Sequence, residues 1–251
     1  MLMIFIVQFA VCFFILKWVL KKKTGAPFSR KAVTRFLILG AISMPATLIL
    51  SSFLPLERDT FFGMNPILSG FLTALITAAL LEETVKYIFF RLAVLKNGEV
   101  VCWLDAVIAA ILVGIGFTVM EDLEFVAVGS SNIFRAILPM HLLFQGLMGY
   151  FYGKARVTKD SKYDVLSLVV PILWHTLFDM FLIGMMSIIG DVNAVTTMSE
   201  EEISGLPYYE YAVPMMVCAI AVMVISLIAL ILFLRKVGVW SRTGEKQEQL
   251  A

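Results

Sequence analysis

Cysteine is scarce in this sequence, which contains only Cys12, Cys102 and Cys218. Their spacing fits no metal-binding pattern, and Cys12 and Cys218 lie within long apolar runs, so we expect small packing residues and no disulfide framework. The sequence also lacks a fixed-period repeat, a low-complexity tract and any segment long and polar enough for a separate soluble domain. These absences leave the apolar runs as the main organising feature of the chain.

Hydrophobic residues make up 60% of the 251 residues, and the mean hydropathy is +0.92. Soluble domains contain about 45–50% apolar residues. Because a helix needs about 20 residues to cross the hydrocarbon core of a bilayer, the sequence predicts an all-α, polytopic transmembrane helix bundle that forms a single integral membrane domain over residues 1–251. About seven spans are expected, at residues 2–20, 36–54, 67–90, 105–128, 136–153, 165–190 and 212–234.

The charges between the spans predict the orientation in the membrane. Basic residues cluster after the first, third, fifth and last spans, whereas the other loops hold few bases and the loop near 191–211 is acidic. Because loops rich in Lys and Arg stay in the cytoplasm, we expect a multi-pass protein of the cell membrane with its N-terminus outside and its C-terminus in the cytoplasm. The first span has no basic residues before it and no small-residue cleavage site, so we expect a retained anchor rather than a signal peptide.

Two local patterns predict finer features. In the acidic loop, Ser199 followed by Glu202 is typical of a capping box and favours a short surface helix. Small residues inside the spans allow helix backbones to approach closely. Such approaches are expected at Gly114, Gly116, Gly146 and Gly149.

Two adjacent carboxylates, Glu82 and Glu83, lie inside the third span, with Lys86 one helical turn further on. A charge in the hydrocarbon core costs about 2.5–3.5 kcal/mol on insertion scales, so an ionisable residue at this depth indicates a functional site. Lys86 is i+4 from Glu82 and i+3 from Glu83, and it can therefore pair with either. One glutamate would then be held ionised, and its neighbour would be suited to act as a general base or acid. The alternative is an ion pair that only packs helices.

Further polar residues follow in the next three spans. Phe117 and Glu121 lie on one face of the fourth span, at i and i+4. The only two histidines of the chain, His141 and His175, fall in the fifth and sixth spans. Asp179 is i+4 from His175, where its carboxylate could fix the tautomer and orient the ring. The alternative for each histidine is a packing residue, which for His141 would lie at the membrane interface.

Acids and histidines in one membrane region suit the hydrolysis of a peptide bond. This reaction needs a base that activates water, donors that stabilise the oxyanion and a proton for the leaving amine. Glutamate and histidine can supply these without a cofactor, or the same residues could hold a zinc ion that activates the water. We favour a glutamate-activated water and leave zinc open. The His-Glu-x-x-His pattern of helical zinc sites is absent, as are serine–histidine and aspartyl-protease patterns.

Three short motifs resemble those of a known family, the PrsW family of intramembrane proteases in the CAAX-prenyl-protease-like superfamily. That family has the motifs E-E-x-x-K, F-x-x-x-E and H-x-x-x-D/N. The matching segments here are Glu82-Glu83-Thr-Val-Lys86, Phe117-Thr-Val-Met-Glu121 and His175-Thr-Leu-Phe-Asp179. The resemblance covers approximately residues 75 to 185.

The resemblance implies an intramembrane endopeptidase that makes the site-1 cut in a membrane-spanning anti-sigma factor and so starts a bacterial stress response. It also implies that Glu82, Glu83 and His175 are essential. The prenyl proteases have histidine where this chain has Glu121, which argues against a prenylated substrate.

We therefore predict a glutamate- or metal-dependent peptidase with a polar four-helix catalytic core over residues 67–190. The predicted catalytic residues are Glu82, Glu83, His175, Glu121, Asp179 and His141, supported by Lys86 and Phe117. The expected partners are the lipid bilayer and a single-span membrane protein substrate, and no nucleic acid. Two alternatives stay open. One is a proton-coupled transporter or channel, although no inverted repeat is evident. The other is a non-enzymatic membrane scaffold.

Overall fold

The structure is a computed structural model that describes residues 2–54, 60–95, 97–128, 139–189 and 198–243. Within these residues every regular element is helical. The elements are α1 (Leu2–Leu20), α2 (Arg30–Ser51), α3 (Pro66–Leu72), a π-helical segment (Thr73–Ala79), α4 (Leu80–Val94), α5 (Trp103–Ala127), α6 (His141–Thr158), α7 (Ser161–Ile189), α8 (Glu200–Ser204), a 3₁₀ turn (Tyr209–Tyr211) and α9 (Ala212–Thr243).

Six helical stretches in the described part of the chain are long and apolar enough to cross a membrane. They are α1, α2, the run from α3 through α4, α5, α7, and the run from the 3₁₀ turn into α9, and they match six of the predicted spans. Helix α6 matches the fifth predicted span but is not among the six, because Lys154, Arg156 and other polar residues lower its hydropathy. The all-α polytopic bundle is confirmed, and the remaining span stays a prediction.

The chain divides into two compact units. Unit 1 comprises Met1–Ile49, Glu82–Pro171 and Leu227–Ala251, and unit 2 comprises Leu50–Leu81 and Ile172–Ser226.

Helix α5 is the central helix of unit 1. Every residue from 104 to 118 is buried, as expected for a helix that is apolar on all sides and therefore surrounded by other helices. Helix α5 packs against α6 and α1. The side chains that α5 presents along its length are thus enclosed by protein.

Glycines allow the neighbours of α5 to approach its backbone. A Cβ atom at Gly116 would overlap the carbonyl oxygen of Leu37 in α2, and one at Gly114 would lie 2.9 Å from Cγ of Gln145 in α6. Added Cβ atoms would also meet neighbouring atoms closely at Gly146 and Gly149. The close approaches predicted at the four glycines are therefore confirmed.

Polar contacts fix the loops of unit 1 at the ends of its helices. The buried carboxylate of Asp105 in α5 accepts hydrogen bonds from Lys23 Nζ and from the Val101 N–H, each at 3.0 Å. The exposed carboxylate of Glu99 accepts the N–H and the hydroxyl of Ser29, at 2.6 and 2.7 Å, just before α2. These two bonds hold the pKa of Glu99 below its usual range. The starts of α2 and α5 are thereby anchored.

Unit 2 contains the predicted surface helix. The N–H of Glu202 donates to Ser199 Oγ at 3.3 Å, and the N–H of Ser199 donates to the Glu202 carboxylate at 2.7 Å. This reciprocal capping box starts α8 and confirms the prediction for the acidic loop.

The π-helical segment of unit 2 has no counterpart in the sequence analysis. It occupies Thr73–Ala79 in the middle of the third span, where the hydroxyl of Thr77 donates to the carbonyl oxygen of Thr73 at 2.8 Å. Just before it, Gly70 lies against the backbone carbonyl of Met180 in α7. π-helical segments are rare in proteins overall, but those that exist are often found at functional sites.

We expect Gly116→Ala to destabilise unit 1. In an open helix position this change stabilises by about 1 kcal/mol, but here the methyl group must displace the Leu37 backbone, and overpacking costs about 1–3 kcal/mol. The thermal unfolding midpoint of the detergent-purified protein should fall. Gly238→Ala in α9 is the matched control, because its Cβ would meet Trp18 only at 3.5 Å. Equal midpoints for the two variants would contradict the packing described for α5.

Candidate active site

The candidate site of unit 1 begins at the first turn of α4. Lys86 Nζ lies 3.0 Å from Glu82 Oε2 and 2.8 Å from Glu83 Oε1. The side chains of Lys86 and Glu83 are fully buried, whereas that of Glu82 is 17% exposed. The lysine therefore binds both adjacent carboxylates at once, and the two glutamates differ in their access to solvent.

His141 connects this cluster to α5 and α6. Its Nδ1 atom lies 2.9 Å from Lys86 Nζ, and its Nε2 atom lies 2.8 Å from Glu121 Oε2. Because an ammonium group can only donate hydrogen bonds, Nδ1 is the acceptor and Nε2 carries the proton that is donated to Glu121. The contacts thus define one tautomer of the His141 ring.

The ammonium group of Lys86 has no unused donor. It has three N–H bonds and three acceptors, which are Glu82 Oε2, Glu83 Oε1 and His141 Nδ1. Its Nζ atom also lies 3.8 Å from the centroid of the Phe117 ring, which packs edge-on against His141, so a cation–π contact adds to the hydrogen bonds. The positive charge of Lys86 is the centre of the cluster.

The structure thus brings together most of the residues predicted for the site. Glu121 and Phe117, one helical turn apart on α5, both contact the cluster, the first through His141 and the second through Lys86. The members within unit 1 are Glu82, Glu83, Lys86, Phe117, Glu121 and His141.

Gln145 is a member of the cluster that the sequence analysis missed. It is fully buried and donates from Nε2 to Glu83 Oε2 at 3.3 Å. Within the described residues its Oε1 atom has no hydrogen-bond partner. Gln145 is i+4 from His141, on the same face of α6. A buried amide one turn from a candidate histidine was the available signal.

The third motif forms its own pair within unit 2. His175 Nε2 lies 3.1 Å from Asp179 Oδ2 in α7, with side chains that are 5% and 26% exposed. The i, i+4 contact predicted for these residues is present. The carboxylate thus orients the imidazole ring.

The donor set of unit 1 suits a metal ion such as zinc. Glu82, Glu83 and His141 each offer a ligand atom, and these atoms lie within 4.8 Å of one another. Carboxylate and imidazole are zinc ligands, and the bond from His141 to Glu121 is of the kind that orients metal-binding histidines. The Lys86 ammonium binds one oxygen of each of these glutamates and Nδ1 of His141. The residues are therefore of the chemical kinds that bind zinc, and the ammonium group of Lys86 lies among them.

A family of known proteins matches most of the chain. A family model described as PrsW family intramembrane metalloprotease matches residues 29–223. The chain is 31% identical over 179 residues to Protease PrsW of Halalkalibacterium halodurans, which covers 69% of this chain and 78% of the relative. No solved structure matches.

Two further relatives carry the same name. Protease PrsW of Clostridioides difficile is 26% identical over 160 residues, or 59% of this chain and 66% of the relative. Protease PrsW of Bacillus subtilis is 30% identical over 134 residues, or 51% of this chain and 59% of the relative. This chain therefore spans a little under two thirds of the length of these two relatives.

The hydrogen bonds predict a single tautomer for His141. In protein labelled with ¹⁵N-histidine, which reports on only two residues, His141 should show a protonated Nε2 and an unprotonated Nδ1 at neutral pH. Lys86→Met removes the donor to Nδ1 and should shift that resonance. In the control variant Lys162→Met, whose lysine side chain is 63% exposed in the wild type, the resonance should not shift. With the signals assigned through His175→Gln, protonation of both His141 nitrogens would contradict the arrangement.

Proposed function

The chain belongs to the PrsW family of intramembrane proteases, and we propose that Glu82 is the general base that activates water in its peptidase reaction. One observation carries this assignment. Glu83 is fully buried and is bound by both Lys86 and Gln145, whereas Glu82 keeps 17% of its side chain exposed. Of the two carboxylates, Glu82 is therefore the one that can meet a water molecule.

The contacts around Glu82 suit the role of a base. Lys86 fixes one oxygen of the carboxylate at 3.0 Å, so the other oxygen can accept a proton from water. The resulting hydroxide attacks the carbonyl carbon of the scissile peptide, and Glu82 then returns the proton to the leaving amine. Glu83 stays ionised throughout as the second partner of Lys86, and Gln145 holds it in place.

We assign His175 to the stabilisation of the oxyanion or to the transfer of a proton, with Asp179 as the residue that orients it. The support is the contact of 3.1 Å between them and the match to the third family motif. We also assign His141, which is held by Glu121, to the positioning of Lys86.

Zinc, where bound, would polarise the peptide carbonyl or lower the pKa of water, and Glu82, Glu83 and His141 would be the residues that hold it. When Lys86 is in this position, the reaction described above uses only side chains of the protein. Lys86 offsets part of the negative charge of Glu82 and Glu83, and His141 keeps a defined tautomer through Glu121.

For the substrate we propose a single-span membrane protein, specifically an anti-sigma factor cut at site 1. The support is the set of three family motifs and the location of the acids within membrane-spanning helices. We further propose that the N-terminus lies outside and the C-terminus in the cytoplasm, because the basic residues lie in alternate loops.

Glu82→Gln should abolish cleavage without unfolding the protein. General-base catalysis contributes about 10²–10⁴-fold to a rate, so a loss of at least about 10²-fold is expected for Glu82→Gln, with a comparable loss for His175→Ala. Glu83→Gln, in contrast, is expected to lower the thermal unfolding midpoint of the protein, because it disturbs a fully buried ion pair. The measurement is cleavage of a candidate single-span anti-sigma factor in proteoliposomes.

Glu201→Gln, on the exposed helix α8, is the control for this series and should cleave at the wild-type rate. Equal cleavage by wild type, Glu82→Gln and His175→Ala would refute the assignment. A proton flux that occurs without substrate and disappears in Glu82→Gln would favour the transporter alternative instead.

Cysteine labelling should show the proposed orientation. In a variant without its three native cysteines, Glu201→Cys should react with a membrane-impermeant maleimide in intact cells. Lys162→Cys should react only after the membrane is opened, because it lies in a predicted cytoplasmic loop. The reverse pattern would overturn the orientation while leaving the site unaffected.

A further inference from the structure

We propose that the Lys86 ammonium group occupies the cation site of the catalytic cluster, so that this lysine and a divalent metal ion bind there in turn and never together. The inference deepens the proposed function, since it concerns the same cluster, but it rests on the contacts of Lys86 and not on which glutamate is the base. It turns a supporting residue into a determinant of metal occupancy.

The ammonium group of Lys86 already has the geometry of a bound tetrahedral cation. An ammonium nitrogen is tetrahedral, with one bond to Cε and three N–H bonds. All three point to side-chain atoms of residues that are also candidate metal ligands, at 2.8 to 3.0 Å. Zinc prefers four ligands around a tetrahedral centre and bonds to oxygen and nitrogen at about 2.0–2.2 Å. A metal ion held by these three atoms would therefore fall in the volume that Nζ now fills.

Electrostatic repulsion also prevents the two cations from sharing the site. The cluster has two carboxylates close to the ammonium, Glu82 and Glu83, and a neutral His141 whose Nδ1 faces the same point. A metal dication and the lysine cation would repel each other strongly in a buried site of low dielectric constant. Both cations therefore cannot share these acceptors, and each one that binds must displace the other.

Lys86 is held firmly in the cluster. Its side chain is fully buried and is stabilised by three hydrogen bonds and by the ring of Phe117 at 3.8 Å. A metal ion can take these three acceptor atoms only by breaking the three hydrogen bonds of Lys86. Lys86 therefore weakens the binding of metal to the wild-type chain, and its removal should strengthen that binding.

The substitution Lys86→Met tests this competition. Methionine removes the charge and all three donors while keeping an unbranched side chain. Zinc binding to the full-length, detergent-purified protein would be measured by competition with a chelator, and the visible absorption of Co²⁺ would report on a tetrahedral site. Because a hydrogen-bonded charge no longer competes, Lys86→Met should bind one zinc ion per chain at least about tenfold more tightly than the wild type.

Three further variants make the comparison specific. Lys86→Arg retains a cation and should bind zinc no more tightly than the wild type. Lys162→Met removes an exposed lysine and should leave the affinity unchanged. The double variant Lys86→Met with Glu83→Gln should lose the gain in zinc affinity, because the second substitution removes a carboxylate ligand. If Lys86→Met does not fold without metal, Lys86→Gln replaces it with the same expectation, and zinc should raise its unfolding midpoint by more than that of the wild type.

Equal zinc affinities for the wild type and the neutral Lys86 variants would overturn the proposal, as would an absence of zinc binding in all of them. These measurements need no substrate. If Glu82→Gln retains cleavage while Lys86→Met gains zinc affinity, the base assignment fails and the competition stands. If the affinities are equal while Glu82→Gln is inactive, the competition fails and the base assignment stands.

Discussion

The buried charge of Lys86 is the constraint on which the site in unit 1 depends. A lone ammonium group or a lone carboxylate deep in a membrane protein is costly, and removing one partner of a buried ion pair costs about 3–5 kcal/mol. Lys86 and the two glutamates beside it therefore require one another. The third hydrogen bond, to His141, extends this requirement from α4 to α6. The contacts of this one cation thus also join α4 to α6.

The packing of α5 makes such a joint possible. Side-chain hydrogen bonds of about 3 Å between helices need backbones that lie close together, and Gly114 allows Gln145 of α6 to lie directly against α5. Gln145 in turn reaches Glu83, and Glu121 of α5 reaches His141. Small residues in the central helix therefore place the polar groups of three helices within contact distance.

The same contacts give two neighbouring glutamates different chemistry. Glu83 is enclosed and has partners on both of its oxygens, so it acts as a fixed counter-charge, whereas Glu82 keeps partial access to solvent. A proton acceptor needs an accessible oxygen, and a counter-charge needs burial. For an intramembrane protease, the cluster provides both on adjacent residues. Lys86 lies between them, at 3.0 Å from Glu82 Oε2 and 2.8 Å from Glu83 Oε1.

The sequence by itself determined the all-α membrane class, most of the spans and the identity of the ionisable residues, because hydropathy and helical spacing are local properties. The i, i+4 contacts of Lys86 with Glu82 and of His175 with Asp179 follow from that spacing alone. Only the tertiary structure decided that His141 is the third acceptor of Lys86, that Gln145 holds Glu83, and that Glu82 is the exposed carboxylate. These facts depend on which helix faces which and on how deeply each side chain is enclosed, and both arise from packing between segments distant in sequence.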